Sequence, residues 1–163
     1  MTIQIRPFQH GDIAPVLAIY NHAILNHSAT FEEQPLAAET MAQRLTTIGT
    51  EFPVLVAVSA EEVVGYAYGN HYKPRSAYRF CAEISVYLAE SAQGQGIGQK
   101  LTSALLEALK AQGITQVLAV ITSPNPVSEG MHRKLGFRPC GLLKSVGYKF
   151  ERWHDVGLWQ KSL

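Results

Sequence analysis

Glycine stands at every second position in Gln93-Gly94-Gln95-Gly96-Ile97-Gly98, where a run with strand alternation gives way to a run with helical spacing. Few features limit a chain more. Glycine lets the backbone take left-handed angles and approach a ligand closely, and the first N–H groups of a helix lack carbonyl partners and sit at the positive end of its dipole. Such a loop suits an anion such as a pyrophosphate, or serves as a plain turn. Two nucleotide folds fit it poorly. A Rossmann loop wants G-x-G-x-x-G in the first βαβ unit with an acidic residue about 20 positions on, and a P-loop wants Lys followed by Ser or Thr, whereas Lys100 is followed by Leu101.

The runs on either side place the loop in an α/β chain. Phe80, Ala82, Ile84, Val86 and Leu88 alternate with Cys81, Glu83, Ser85 and Tyr87, so the two sets occupy opposite faces of a strand. Ile97, Leu101, Leu105, Ala108 and Leu109 line one side of a helix from Gly96 to Gln112, stopped by Gly113. Upstream, Ile3 and Ile5 mark a short strand ending at Pro7. Ile13, Val16, Leu17, Tyr20 and Ile24 mark a helix with Asp12 at its cap, and a second helix runs from about Leu36 to Ile48. The segments VLVAV and VVGYAYG flank a short polar turn and read as a hairpin. Downstream come a buried strand at 117–121, a short helix from Asn125 to Leu135 stopped by Gly136, and strands near 138–145 and 152–160.

At 163 residues the chain has the size of a single domain, expected to span 1–163, and 47% hydrophobic against 17% charged residues excludes disorder. A formal charge of +1 is no footprint for nucleic acid. Met1 to Gln9 lacks a charged n-region followed by an apolar run, and no stretch of about 18 apolar residues occurs, so neither export by that route nor a membrane span is expected. Cys81 and Cys140 stand alone, which suits free thiols in a reducing cytoplasm.

Gln93, Gly96 and Gly98 resemble the Gln/Arg-x-x-Gly-x-Gly/Ala loop of the GNAT superfamily of acyl-CoA-dependent N-acetyltransferases. Asn125, Ser128, His132, Gly136 and Phe137 resemble a second motif of that superfamily, in the right order and beyond one buried strand. Within it, Tyr20-Asn21, the segment from Lys73 to Tyr78, Glu83 to Tyr87, and the tail from Gly147 through Trp153-His154-Asp155 to Gln160 look like the phosphinothricin and methionine sulfoximine acetyltransferases. The resemblance implies a mostly antiparallel mixed seven-stranded sheet, splayed between strands 4 and 5, with about four helices. It further implies acetyl-CoA as co-substrate, a small amino-acid acceptor and a homodimer. One departure is that Gln93 and Gln95 stand where many relatives carry Arg or Lys, so charge for the phosphates falls to Lys100, Arg133 or Lys134.

Acetylating an amine needs a base, because amino groups are largely protonated near pH 7. Glu83, a carboxylate within an apolar strand, is the candidate, and partial desolvation would raise its pKa. The other reading of Glu83 is an ion pair with Arg75 or Arg79. By resemblance, the main chain near Val86 would donate to the developing oxyanion, with Ser85, Val86, Tyr87 and Leu88 along the pantetheine. Gln93 to Gly98 would take the pyrophosphate, and Asn125 and Ser128 the pantetheine arm. His132 stands where many members carry a Tyr that protonates the leaving thiolate, or else it only packs and hydrogen-bonds. Phe31, Lys73, Arg75 and Tyr78 would form the acceptor pocket, Arg75 through a bidentate fork to a carboxylate or phosphinate. Cys81 shares the face of Glu83, but no base stands beside it, so direct attack is expected and not an acetyl-thiol intermediate.

Other chemistry finds little support. His22 and His27 are five apart, off the i, i+4 pairing of H-E-x-x-H, and no cysteine is near either, so no zinc site is expected. No G-x-S-x-G elbow occurs. Trp153 and Trp159 share a strand face by parity and, with Val156, supply more apolar surface than closing strands need, as sheet core or a subunit interface. Two other functions stay open: an acetyltransferase for another small amine or a protein N-terminus, and a CoA-binding module without catalysis.

Overall fold

The computed structural model describes residues 2–163. Seven strands form one sheet: β1 (Ile3–Pro7), β2 (Val54–Ser59), β3 (Glu62–His71), β4 (Cys81–Leu88), β5 (Gln116–Ser123), β6 (Arg138–Lys149) and β7 (Arg152–Ser162). The helices are α1 (Ile13–Asn26), α2 (Ala38–Gly49), α3 (Ile97–Ala111) and α4 (Pro126–Lys134). The sheet order is β1-β2-β3-β4-β5-β7-β6, and every neighbouring pair is antiparallel except the parallel β4 and β5. No helix among the described residues is long and apolar enough to cross a membrane.

Alternation along β3 sorts the layers. A side chain at Gly65 would meet Leu88 and Leu101, and one at Gly69 would meet Leu109, so the odd positions face α3. The even positions face α1, where Tyr66 stacks on Tyr87 at 5.4 Å and Tyr20 meets Tyr87 edge-on at 5.1 Å. Register carries this sorting into β4, because Tyr68 pairs with Ser85 and Asn70 with Glu83. Glu83, Ser85 and Tyr87 thus share the α1 face, as the alternation in sequence predicts.

Pairing of β4 with β5 covers only Cys81–Ile84 against Gln116–Ala119. Beyond Ile84 the strands part, which is the expected splay. It opens on the side where β4 runs toward the glycine loop.

Element ends shift by a few residues from the sequence reading. Gly113 and Gly136 stop their helices with φ of 89° and 88°, the left-handed angles glycine tolerates. The last two strands run to Lys149 and Ser162, four and two residues further than expected. Asp12 does not cap α1 with its side chain: its carboxylate accepts from both Arg6 nitrogens at 2.8 Å and from the Gln9 N–H at 2.8 Å. An arginine fork and a turn amide thereby outcompete the helix for the same oxygens. The two tryptophans divide. Trp159 and Val156 are buried, whereas Trp153 is 64% exposed, because it lies at the far end of β7 beside Tyr148.

Candidate active site

The parted strands open a cleft of about 940 Å³. Glu83, Ser85, Val86, Tyr87 and Leu88 line one wall. Gln93, Gly94, Gly96, Ile97 and Gly98 line the mouth, and Asn125, Ser128 and His132 line the wall from α4. Residues far apart in sequence meet here because β4 ends at the glycine loop and β5 ends at the start of α4.

The loop has the backbone that its glycines allow. Gly94 and Gly96 take φ of 73° and 75°, and Gly96 is the N-cap of α3. The first helical bond runs from Lys100 N to the Gly96 carbonyl, so the amides just before it have no helical acceptor. Gln95 is the one residue of this loop absent from the cleft wall; its amide turns back to donate to the Ser91 carbonyl at 2.6 Å. Among the basic residues expected near the phosphates, Lys134 lines the cleft, and the Arg133 guanidinium lies 5.0 Å from the centre of the Trp159 ring.

Glu83 has no ion pair among the described residues. Arg79 bonds the Ser76 carbonyl and covers Phe80 instead, while Arg75 opens the short turn Ser76–Tyr78 on the surface. Burial holds the Glu83 carboxyl above its ordinary range. Cys81 is pushed up as well, by burial first and then by the negative charge of Glu83, which keeps the thiol protonated and a poor nucleophile.

Asn125 caps α4 by accepting from Ser128 N at 3.2 Å, which leaves its amide nitrogen as a donor at the cleft wall. His132 is buried, its Nδ1 bonds the Ser128 carbonyl at 2.8 Å, and its ring meets Phe137 edge-on. Because Nδ1 carries the donated proton, the neutral ring has no proton on Nε2, and burial lowers its pKa. An acid on Nε2 would require the charged ring that this setting disfavours.

The acceptor residues divide. Phe31 lines the cleft, seated on β6 where Gly147 leaves room; any side chain there would reach within 2.2 Å of the ring. Lys73, Arg75 and Tyr78 are not among the residues lining it. They lie on the β3–β4 loop, with Lys73 over the Tyr72 ring and Tyr78 edge-on to it. The loop carrying Phe31 is tied down by bonds that spacing alone does not show: Thr122 Oγ1 donates to the Ser28 carbonyl, and Lys149 donates to those of His27 and Thr30.

Helical spacing also misplaces His27. The chain leaves α1 there with extended angles of −131° and 155°, and both His22 and His27 turn toward Glu90.

An acetyltransferase (GNAT) domain model matches residues 5–158. The chain belongs to the GNAT acetyltransferases. It is 40% identical to the phosphinothricin N-acetyltransferase of Alcaligenes faecalis over 98% of this chain and 82% of that one. It is 39% identical to the L-methionine sulfoximine/L-methionine sulfone acetyltransferase of Pseudomonas aeruginosa over 100% of this chain and 96% of that one. A solved structure of a GNAT superfamily phosphinothricin acetyltransferase from Sinorhizobium meliloti in complex with AcCoA superposes with a TM-score of 0.97 at 40% identity, covering 100% of this chain and 89% of that one. In GNAT terms, the cleft between β4 and β5 is the candidate acyl-donor site of this acetyltransferase.

Proposed function

We propose that this acetyltransferase moves the acetyl group of acetyl-CoA to the α-amine of a small amino acid or analogue, such as phosphinothricin, methionine sulfoximine or methionine sulfone. The observation that carries the reading is Glu83, a half-buried carboxylate without an ion-pair partner among the described residues, on the wall of a cleft whose mouth is a glycine-rich helix start. Acetyl-CoA supplies an activated acyl thioester. Glu83 takes a proton from the incoming ammonium, and its raised pKa keeps that transfer useful near neutral pH.

The main chain of β4 near Val86, released from β5, offers N–H donors to the oxygen on which charge develops. The amides of the glycine loop and Lys134 hold the phosphates, while Asn125 bonds the pantetheine arm. Attack is direct, since Cys81 is held as the thiol. His132 fixes the start of α4 through the Ser128 carbonyl and is not the acid, so the coenzyme leaves as a thiolate as the C–S bond breaks, and the second proton of the acylated nitrogen passes to that thiolate. Phe31 forms the apolar wall for the acceptor, and Arg75 with Lys73 and Tyr78, on the β3–β4 loop outside the cleft lining, meets a carboxylate or oxyacid end that projects from the cleft.

Two further features belong to this reading. The enzyme is a homodimer: Leu142, Leu143, Val146, Tyr148, Phe150 and Trp153 put a stripe of large apolar side chains on the surface of the β6–β7 hairpin. It works in a reducing compartment, the cytoplasm, where its free cysteines Cys81 and Cys140 stay reduced.

Thiol release measured over a panel of amines tests the substrate assignment. Methionine sulfoximine, methionine sulfone and phosphinothricin should be good acceptors, and spermidine and a basic N-terminal peptide poor ones. Spermidine or the peptide reacting tenfold or more efficiently than every amino-acid analogue would reject it.

A further inference from the structure

We propose that His22, His27 and Glu90 form a binding site for a divalent late transition metal, zinc above all, that clasps the end of α1 to the turn leading into the glycine loop. The three side chains come from separate places: one turn before the end of α1, the residue where the chain leaves α1, and the short 3-10 turn Glu90–Ala92. Their donor atoms all lie within 4.8 Å of one another. Glu90 Oε1 is 3.0 Å from His22 Nε2 and 3.8 Å from His27 Nε2. Zinc bonds of about 2.0–2.2 Å at tetrahedral angles separate ligand atoms by about 3.3–3.5 Å, a value these two distances bracket. Two imidazoles and one carboxylate form a set that zinc favours, and a water completes four-coordination.

A second observation points the same way. His27 Nε2 is shut off from solvent and has no hydrogen-bond partner, the one such side-chain atom found among the described residues. At 3.8 Å, Glu90 is too far to serve it. Buried polar atoms are rarely left in this state, and a metal between ring and carboxylate would satisfy both. His27 is also preorganised. Its N–H donates to the Ala23 carbonyl at 2.9 Å and its carbonyl accepts from Lys149 at 2.8 Å.

Asn26 stands behind His22, its amide 3.3 Å from Nδ1. The same amide nitrogen donates to the His22 carbonyl at 2.9 Å and fixes the end of α1 behind the ring.

The test uses the full-length enzyme stripped with a chelator. Cobalt(II) is titrated in and followed by its visible absorption, and zinc is then titrated by calorimetry. One equivalent per chain is expected, with the intense band of four-coordinate cobalt, displaced by zinc. His22→Ala, His27→Ala and Glu90→Gln should each weaken binding by at least about tenfold, the low end of what even an outer-shell change costs a metal site. His71→Ala, at the separate pair of His71 with Glu51, should leave binding unchanged. Circular dichroism confirms that each variant is folded. Absence of stoichiometric binding, or binding that survives in folded His27→Ala and Glu90→Gln proteins, would overturn the proposal.

Discussion

The ammonium of Lys149 lies 2.8 Å from the carbonyl of Thr30, a residue 119 positions earlier in the chain. A second bond of 2.8 Å runs from the same nitrogen to the His27 carbonyl, and the side chain is 2% exposed. Lys149 thus stitches the loop after α1 to the end of β6, and Phe31 rides on that loop into the cleft.

Lys149→Met retains most of the volume and removes the donor. It leaves two carbonyls short of a partner, and the expected loss is about 2–4 kcal/mol of stability, read from urea denaturation. Because Phe31 loses its anchor, KM for the acceptor should rise more than kcat falls, while the KM for acetyl-CoA stays close to that of the parent enzyme.

Glu83→Gln should lower kcat by roughly 10²- to 10⁴-fold near neutral pH and recover in part as pH rises and free amine accumulates. The same substitution should stabilise the protein. Burial raises the folded-state pKa of Glu83 above its unfolded value, so its favourable contribution is complete below the unfolded value and is lost as pH rises through the folded one. The variant should therefore melt higher than the parent at pH 7 to 8, with the gap shrinking in acid; calorimetric scans across pH read this directly. Equal melting points at all pH values would mean that the carboxylate is not desolvated.

Gly96 has open space around its Cα and a φ of 75°. A valine there is strained by its backbone angle and not by a clash, at a cost of about 1–2 kcal/mol. Gly96→Val should remain folded by near-ultraviolet circular dichroism while binding acetyl-CoA at least about tenfold more weakly by calorimetry. Unchanged affinity in a folded variant would remove the loop from the site.

Trp153→Asp places a charge in the exposed apolar stripe of the β6–β7 hairpin. Light scattering should give the dimer mass for the parent protein at micromolar concentration and the monomer mass for the variant. A monomeric parent would contradict the assembly.

Much of this was legible in the residues. Period and breakers located every strand and helix, and the two-face reading of β4 put Glu83 where the register with β3 confirms it. Of the eleven residues from Glu83 to Gly98 expected at the site, all but Gln95 line the cleft, for a simple reason: a strand and the helix after it keep neighbours in sequence neighbours in space. What escaped were contacts made where regular periods stop. His27 lies just past a helix end, so the i, i+4 rule no longer governs it. Asp12 had two stronger partners than the helix it precedes. Parity put Trp153 and Trp159 on one face but could not show that the core ends between them. The Lys149 stitch joins segments more than a hundred residues apart, and no local pattern in either announces it.

The parting of β4 from β5 has a consequence for the sheet itself. Past Ile84 and Ala119, two central strands each carry a flank of main-chain groups without a neighbouring strand, in the middle of the molecule and not at its rim. An open flank is normally a liability, inviting stray chains to add on. Here the wedge is narrow, walled by α4 and closed at one end by four paired residues of each strand, so only a slim, extended polyamide-like guest could lie along it. For the sheet, the bound arm of the acyl carrier would act as a surrogate eighth strand, and the interior edge that makes the free protein vulnerable is the same edge that selects what it binds.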